Sequence, residues 1–90
     1  MHTTCQPNAI IIQNKAGDKL AEVTFPEIEP GVVDINHTFV SNSLRGQGIA
    51  GLLMQKAAAQ LRQTDRKAKL SCSYAQKWFA QHPEFADVVK

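Results

Sequence analysis

The chain has 90 residues, of which 43% are hydrophobic and 20% are charged, and its formal net charge is +2. This length predicts one domain with a thin core, because a chain of this size buries only about 60% of its unfolded surface. The small net charge gives no argument for a nucleic-acid partner. No apolar run approaches the length of a membrane span and no signal peptide is recognisable, so we expect no membrane partner. Two cysteines, Cys5 and Cys72, do not make a disulfide framework, which favours a reduced, cytoplasmic protein.

The first half of the chain predicts an antiparallel β meander. Residues 1–7 are expected to form a loose, flexible tail. Residues 9–13 are β-branched and predict a short strand, and the turn residues that follow predict a hairpin. The returning strand, 20–25, alternates apolar and polar residues, and 32–40 is the longest strand candidate. In that candidate, alternation places on one face Val33, Ile35, His37 and Phe39.

The second half predicts two helices around a short strand. Apolar residues recur at 3.6-residue spacing after a glycine-rich segment, which predicts an amphipathic helix that ends near Thr64. The predicted buried face of this helix consists of Ile49, Leu52, Leu53, Ala57, Ala58 and Leu61. A strand is expected over 68–72, and the S-x-x-Q pattern of Ser73 and Gln76 predicts a capping box that opens a second helix. Pro83 should end that helix and begin a last turn that packs back on the core.

The glycine-rich segment, Leu44-Arg45-Gly46-Gln47-Gly48-Ile49-Ala50-Gly51, lies between the longest strand candidate and the first helix. A glycine-rich turn that opens a helix favours anions, because several backbone N–H groups converge there and the helix dipole adds positive potential. The side chain of Arg45 adds a charge at the entrance. We therefore predict a phosphate or pyrophosphate ligand.

Two familiar phosphate motifs fit this segment poorly. A Walker A loop needs Lys and Ser/Thr after its second glycine, where this chain has Leu52 and Leu53. The dinucleotide pattern G-x-G-x-x-G is satisfied, but residues 41–45 separate it from the preceding strand. The acidic residue at a suitable distance, Asp65, precedes the next strand instead of ending it. The segment is therefore not a Walker A loop, and the dinucleotide pattern is only a weak signal.

The third interpretation rests on Arg45, Gly48 and Ala50, which fit the pattern R-x-x-G-x-A. In this loop the chain resembles the GNAT superfamily of acetyltransferases, in which the pattern binds the pyrophosphate of an acyl-coenzyme A. The segments His37-Thr38-Phe39-Val40, Cys72-Ser73-Tyr74 and His82-Pro83-Glu84 are similar to the branch of very small, single-domain GNAT-like N-acetyltransferases. The resemblance runs from about Asp34 to Val89. It implies a minimal GNAT-like α+β fold over residues 1–90, with the order β-β-β-α-β-α, a mostly antiparallel twisted sheet and two main helices.

The resemblance also implies acetyl-coenzyme A as the cosubstrate and an amine as the acceptor. Its pyrophosphate would contact Arg45, Gly46, Gln47, Gly48, Ile49 and Ala50. The end of the preceding strand, Phe39, Val40 and Ser41, would splay from its neighbour and bind the pantetheine arm. Little chain is left for acceptor walls, so the acceptor site is expected to be open or completed by a partner.

Three residues are candidates for the chemistry. A helix N-terminus favours the thiolate form of a cysteine just before it, so Cys72 would attack the thioester or line the coenzyme thiol site. The structural alternative is that Cys72 is only a small buried residue. His37 would remove a proton from the acceptor ammonium, because histidine titrates near neutral pH, or it would be a hydrogen-bonded core residue. Tyr74 would protonate the leaving thiolate or serve only in packing. The sequence offers no second pair of zinc ligands beside Cys72 and His82, so no metal is predicted.

The sequence therefore favours an acetyl-coenzyme A-dependent N-acetyltransferase that transfers the acetyl group directly to an amine. A ping-pong route through Cys72 is the mechanistic alternative. The alternative function is a coenzyme A-binding sensor or adaptor without turnover. The chain is expected to be a monomer or a weak homodimer, since an edge strand could pair with a second copy.

Overall fold

The computed structural model describes residues 1–90 as seven strands, two α-helices and two short 3₁₀ helices. The strands are β1 (His2–Gln6), β2 (Ala9–Gln13), β3 (Lys19–Thr24), β4 (Glu27–Glu29), β5 (Val32–Ile35), β6 (His37–Val40) and β7 (Lys67–Leu70). The helices are α1 (Ile49–Gln63) and α2 (Ser73–Ala80), and the 3₁₀ helices are Asn42–Leu44 and Pro83–Val88. The fold is α+β, as predicted, and β1 and β4 are additional short strands. None of the helices has the length and apolar character needed to cross a bilayer.

The strands form two sheets that meet at Asn36. One is antiparallel with the order β1-β2-β3-β6, and the other has the order β4-β5-β7, in which β5 and β7 are parallel. The Asn36 N–H donates to the carbonyl oxygen of Thr24 at 3.2 Å, while His37 is in register with the same Thr24. Two residues opposite one make a β-bulge, which bends the strand. The single strand predicted over 32–40 is therefore two strands, one in each sheet.

This bulge corrects the predicted face of the strand. The apolar residues of β5 are buried as expected, but His37 and Phe39 are exposed. The half-buried positions of β6 are Thr38 and Val40, and Val40 packs against the core. The prediction was wrong because one extra residue moves every later side chain of a strand to the opposite face.

The N-terminal segment is also a strand and not the loose tail expected over 1–7. All of β1 pairs antiparallel with β2, from His2 opposite Gln13 to Gln6 opposite Ala9. Its side chains are almost all exposed, so backbone pairing with β2 and not apolar burial defines it. A polar edge strand of this kind has no apolar alternation by which the sequence could reveal it.

The core lies between the sheets and α1, in one cluster of 19 buried residues. The predicted span of α1 is confirmed, and Thr64 caps its end. The residues that α1 buries are Ile49, Leu53, Met54, Ala57, Ala58 and Leu61. Leu52 was predicted for this face but is 39% exposed. Met54 is buried instead, so the apolar stripe lies slightly to one side of its predicted position.

The second helix begins at the predicted residue but without the predicted capping box. Cys72 is the N-cap residue and no side chain caps the helix. The Gln76 side-chain amide donates instead to the carbonyl oxygen of Leu70 at 2.8 Å, which ties α2 to the end of β7. As predicted, Pro83 begins a last turn, and Val88 of that turn is buried against the core.

Candidate functional site

The strands β6 and β7 diverge where the two sheets meet, and we call the gap between β6 and residues 71–72 the fork. Parallel pairing of β5 with β7 ends at Ile35 and Leu70, after which β6 pairs only with β3. The amides of Ser71 and Cys72 both donate to the carbonyl oxygen of Ile35, at 3.2 and 3.0 Å. These bonds form the closed end of the fork. The splayed strand that the resemblance implied is therefore present.

The edge of β6 that faces the fork carries backbone groups without a neighbouring strand. The Ser41 N–H donates to the carbonyl oxygen of Leu20, on the β3 side, at 2.7 Å. Antiparallel bonding alternates from residue to residue, so Phe39 also directs its backbone toward β3, whereas Thr38 and Val40 direct theirs into the fork. Of the three residues predicted to bind the pantetheine arm, only Val40 thus directs its backbone groups into the fork.

The glycine loop presents a run of backbone N–H groups without partners. No amide of residues 46–51 donates a hydrogen bond to another backbone group. Gly46 and Gly48 have φ values of +82° and +71°, a region that L side chains avoid, and a Cβ added at either would meet no atom within 4 Å. Since α1 begins at Ile49, its positive end lies at the same loop. Converging free amides at a helix N-terminus form an anion site.

The Arg45 side chain stands beside these amides and is free to contact a ligand. Arg45 is exposed, and the three ion pairs of the protein join other residues. The preceding Leu44 is buried and anchors the loop to the core. The loop thus combines a fixed backbone with one unpaired cation, which is the combination predicted from the sequence.

Two cavities adjoin at Gly48 and Gly51. The first, which we call the loop pocket, has a volume of about 170 Å³ and is lined by Val40, Leu44, Arg45, Gly46, Gly48, Ile49, Ala50, Gly51 and Tyr74. The second, the helix cleft, has a volume of about 550 Å³ and is lined by Gln47, Gly48, Gly51, Leu52, Gln55, Trp78, His82, Glu84 and Phe85. A long ligand that crosses the glycine loop can therefore occupy both cavities.

Cys72 and Tyr74 lie on the fork side of this site. Cys72 is half-buried, and its Sγ lies 3.6 Å from Oγ1 of Thr38 across the fork. Tyr74 lines the loop pocket, and its pKa is raised above the ordinary value, first by burial and then by the charge of Cys72. The phenol therefore stays neutral at physiological pH and is able to donate a proton. Thr38 was not predicted as a site residue, because the bulge that brings it to Cys72 has no sequence signature.

The structure does not place His37 with this group. His37 is exposed and, by the alternation of β6, lies on the opposite face from Thr38. Phe39 shares that outer face and is 39% exposed. The predicted alternative of a hydrogen-bonded core histidine is wrong, since the imidazole is neither buried nor hydrogen-bonded within the protein.

The wall of the helix cleft is aromatic. The rings of Trp78 and His82 stack with centroids 3.9 Å apart and planes 13° apart. The Nδ1 of His82 lies 2.7 Å from the carbonyl oxygen of Trp78. A carbonyl oxygen only accepts, so Nδ1 of His82 donates in this contact. His82 lies between α2 and the last 3₁₀ helix, and its part in the cleft depends on tertiary packing that no local motif reveals.

Comparison with known proteins gives one consistent family. A model of the GCN5-related N-acetyl-transferase family matches residues 10–88. Protein NATD1 of Xenopus tropicalis is 32% identical over 79 residues, which cover 88% of this chain and 62% of that protein. Protein NATD1 of Homo sapiens is 40% identical over 52 residues, which cover 58% of this chain and 46% of that protein. The chain thus spans about half the length of the curated relatives it matches.

The solution structure of a GCN5-like protein from Staphylococcus aureus superposes with a TM-score of 0.81. The two chains are 27% identical, and the match covers 99% of this chain and 87% of the other. The overall arrangement of strands and helices thus has a counterpart among solved structures.

Proposed function

This chain belongs to the GCN5-related N-acetyltransferase family, and on that premise we propose that it transfers an acetyl group from acetyl-coenzyme A to an amine. The observation that carries the proposal is the run of free amides over residues 46–51 beside the unpaired Arg45. A pyrophosphate is the part of acetyl-coenzyme A that such a site would bind, since charge-assisted bonds to backbone N–H groups are strong.

The two cavities support an assignment of the remaining parts of the cosubstrate. The pantetheine arm would leave the glycine loop through the loop pocket and follow β6, where Thr38 and Val40 offer backbone groups. The nucleotide would lie on the other side of the loop, in the helix cleft. There the stacked rings of Trp78 and His82 offer an aromatic wall for a base.

This placement brings the thioester to the fork, and the surrounding residues then have distinct parts in the transfer. The acceptor nitrogen attacks the carbonyl carbon from the outer face, where His37 is exposed and able to take up the proton that the nitrogen loses. Backbone N–H groups of β6 stabilise the oxyanion. As the carbon–sulfur bond breaks, Tyr74 donates its phenolic proton to the coenzyme A thiolate. Positioning of the two reactants supplies most of the acceleration.

Calorimetric titration of acetyl-coenzyme A into the wild type and Arg45→Ala tests the proposal. We expect a measurable affinity for the wild type and an affinity about tenfold weaker for Arg45→Ala, because one exposed charge-assisted contact is lost. The matched control is Lys15→Ala, which removes the same charge from an exposed position in the hairpin turn.

The control variant should bind acetyl-coenzyme A as the wild type does. If the wild type does not bind acetyl-coenzyme A, the proposal fails. If both variants weaken binding equally, the effect is one of net charge and the glycine loop is not the binding site.

A further inference from the structure

We propose that the contact between Thr38 and Cys72 forms the floor of the acyl site and restricts the enzyme to short acyl groups. The inference rests on the proposed function, since it concerns the far end of the same cosubstrate. It adds a specificity determinant that neither the glycine loop nor the family match identifies.

The first step is the reach of the pantetheine arm. About a dozen bonds separate the pyrophosphate from the sulfur atom, so the extended arm measures on the order of 15 Å. Val40 lines the loop pocket together with the glycine loop, and Thr38 lies two residues further back along β6, roughly 7 Å away. An arm that starts at the free amides therefore places its thioester close to Thr38.

The second step is the width of the fork at this level. Oγ1 of Thr38 and Sγ of Cys72 are 3.6 Å apart. A methylene chain that passes between two side chains needs about 3.5–4.0 Å on each side, a gap of roughly 7 Å in total. The pair thus closes the fork to any acyl chain that extends past the carbonyl carbon and its methyl group.

The third step is the rigidity of the closed end. The amide of Ser71 and its hydroxyl donate to the two carboxylate oxygens of Asp34, at 3.1 and 2.7 Å. The Cys72 amide donates to the carbonyl oxygen of Ile35 at 3.0 Å, which holds the backbone of the cysteine in place. Residues 71–72 are therefore tied to β5, and Thr38 is held separately by the pairing of β6 with β3, so neither side of the Thr38–Cys72 contact moves freely.

The test is calorimetric titration of acetyl-, butanoyl- and hexanoyl-coenzyme A into the wild type, Thr38→Ala and Thr38→Val. For the wild type we expect hexanoyl-coenzyme A to bind at least about tenfold more weakly than the acetyl form, because its longer chain would have to push apart the packed side chains of Thr38 and Cys72, and overpacking of this kind costs affinity. Thr38→Ala removes one half of the floor and should reduce the ratio of acetyl to hexanoyl affinity by about tenfold.

Thr38→Val is the matched control, because valine keeps the volume of threonine and loses only the hydroxyl. It should show the same chain-length ratio as the wild type. If Thr38→Ala does not fold, Cys72→Ala opens the same gap from the other side and carries the same expectation.

Equal affinity of the wild type for all three thioesters would overturn the inference. So would an acetyl-to-hexanoyl affinity ratio that is the same in Thr38→Ala as in Thr38→Val. In both cases acetyl-coenzyme A still binds, and the proposed function stands. Loss of the proposed function has a different signature, which is the absence of binding by every thioester.

Discussion

The two glycines Gly48 and Gly51 lie three residues apart, and the structure predicts opposite effects on stability when each is replaced by alanine. Gly48 precedes α1 with a φ of +71° and no atom within 4 Å of an added Cβ. An alanine there has space but adopts a left-handed conformation, which costs about 1–2 kcal/mol. For a domain of this size, we expect a melting temperature roughly 5–15 °C below that of the wild type.

Gly51 lies in the first turn of α1 with ordinary helical backbone angles. A Cβ at this position would lie 3.4 Å from Nε1 of Trp78 and 3.7 Å from the hydroxyl of Tyr74, which is ordinary van der Waals contact. Within a helix, alanine is more stabilising than glycine by about 0.5–1 kcal/mol of folding free energy. We therefore expect Gly51→Ala to melt roughly 2–8 °C above the wild type.

Thermal unfolding followed by circular dichroism measures both shifts, and Gly31→Ala is the control for the strain. Gly31 has a φ of +76°, also without atoms within 4 Å, and lies far from the glycine loop in the turn between β4 and β5. It should lose as much stability as Gly48→Ala. A shift of the same sign for Gly48→Ala and Gly51→Ala would refute the assignment of backbone strain to Gly48 and of a helix-propensity gain to Gly51.

Three further results follow from single contacts. The hydrogen-bonded ion pair with Arg62 lowers the pKa of Asp87, so its contribution to stability is present at neutral pH and is lost as pH falls through the lowered pKa. Thermal melts should therefore show Asp87→Asn less stable than the wild type at neutral pH, and the difference should disappear once the pH is below that lowered pKa; a difference that does not change with pH would contradict this assignment. Leu53→Ala should lower the free energy of unfolding, measured in urea, by about 2–5 kcal/mol, because the side chain is fully buried. Leu52→Ala, at a partly exposed position, should lower it by less than about 1 kcal/mol, and equal losses for the two variants would contradict the observed orientation of α1. Tyr74→Phe should lower kcat of thiol release by about 10²-fold, and an unchanged kcat would exclude the phenol as the proton donor.

The strands and helices that pack an apolar face were predictable from the sequence. The span of α1 and the start of α2 follow from local patterns, since each buries a stripe of apolar residues or follows a turn. The polar edge strand β1 escaped prediction because its structure depends on backbone bonds to β2. The bulge at Asn36 was not predictable for a similar reason, because it depends on hydrogen bonding to Thr24 and not on a local sequence motif.

The same distinction applies to the candidate site. The glycine loop was predictable, because a run of glycines before an amphipathic helix creates free amides through local geometry alone. The contact of Thr38 with Cys72 joins residues 34 positions apart, and its geometry depends on where two sheets separate. The helix cleft likewise needs α1 and the residues after α2 to pack together.

The central claim is that the free amides of residues 46–51 hold the pyrophosphate of acetyl-coenzyme A. Titration of the ¹⁵N-labelled protein with acetyl-coenzyme A, followed by amide chemical shifts, tests it most directly. We predict the largest shifts at residues 46–51, with further shifts at Thr38 and Val40, and inorganic pyrophosphate should shift residues 46–51 alone. Shifts confined to other residues, or none at saturating acetyl-coenzyme A, would contradict the account.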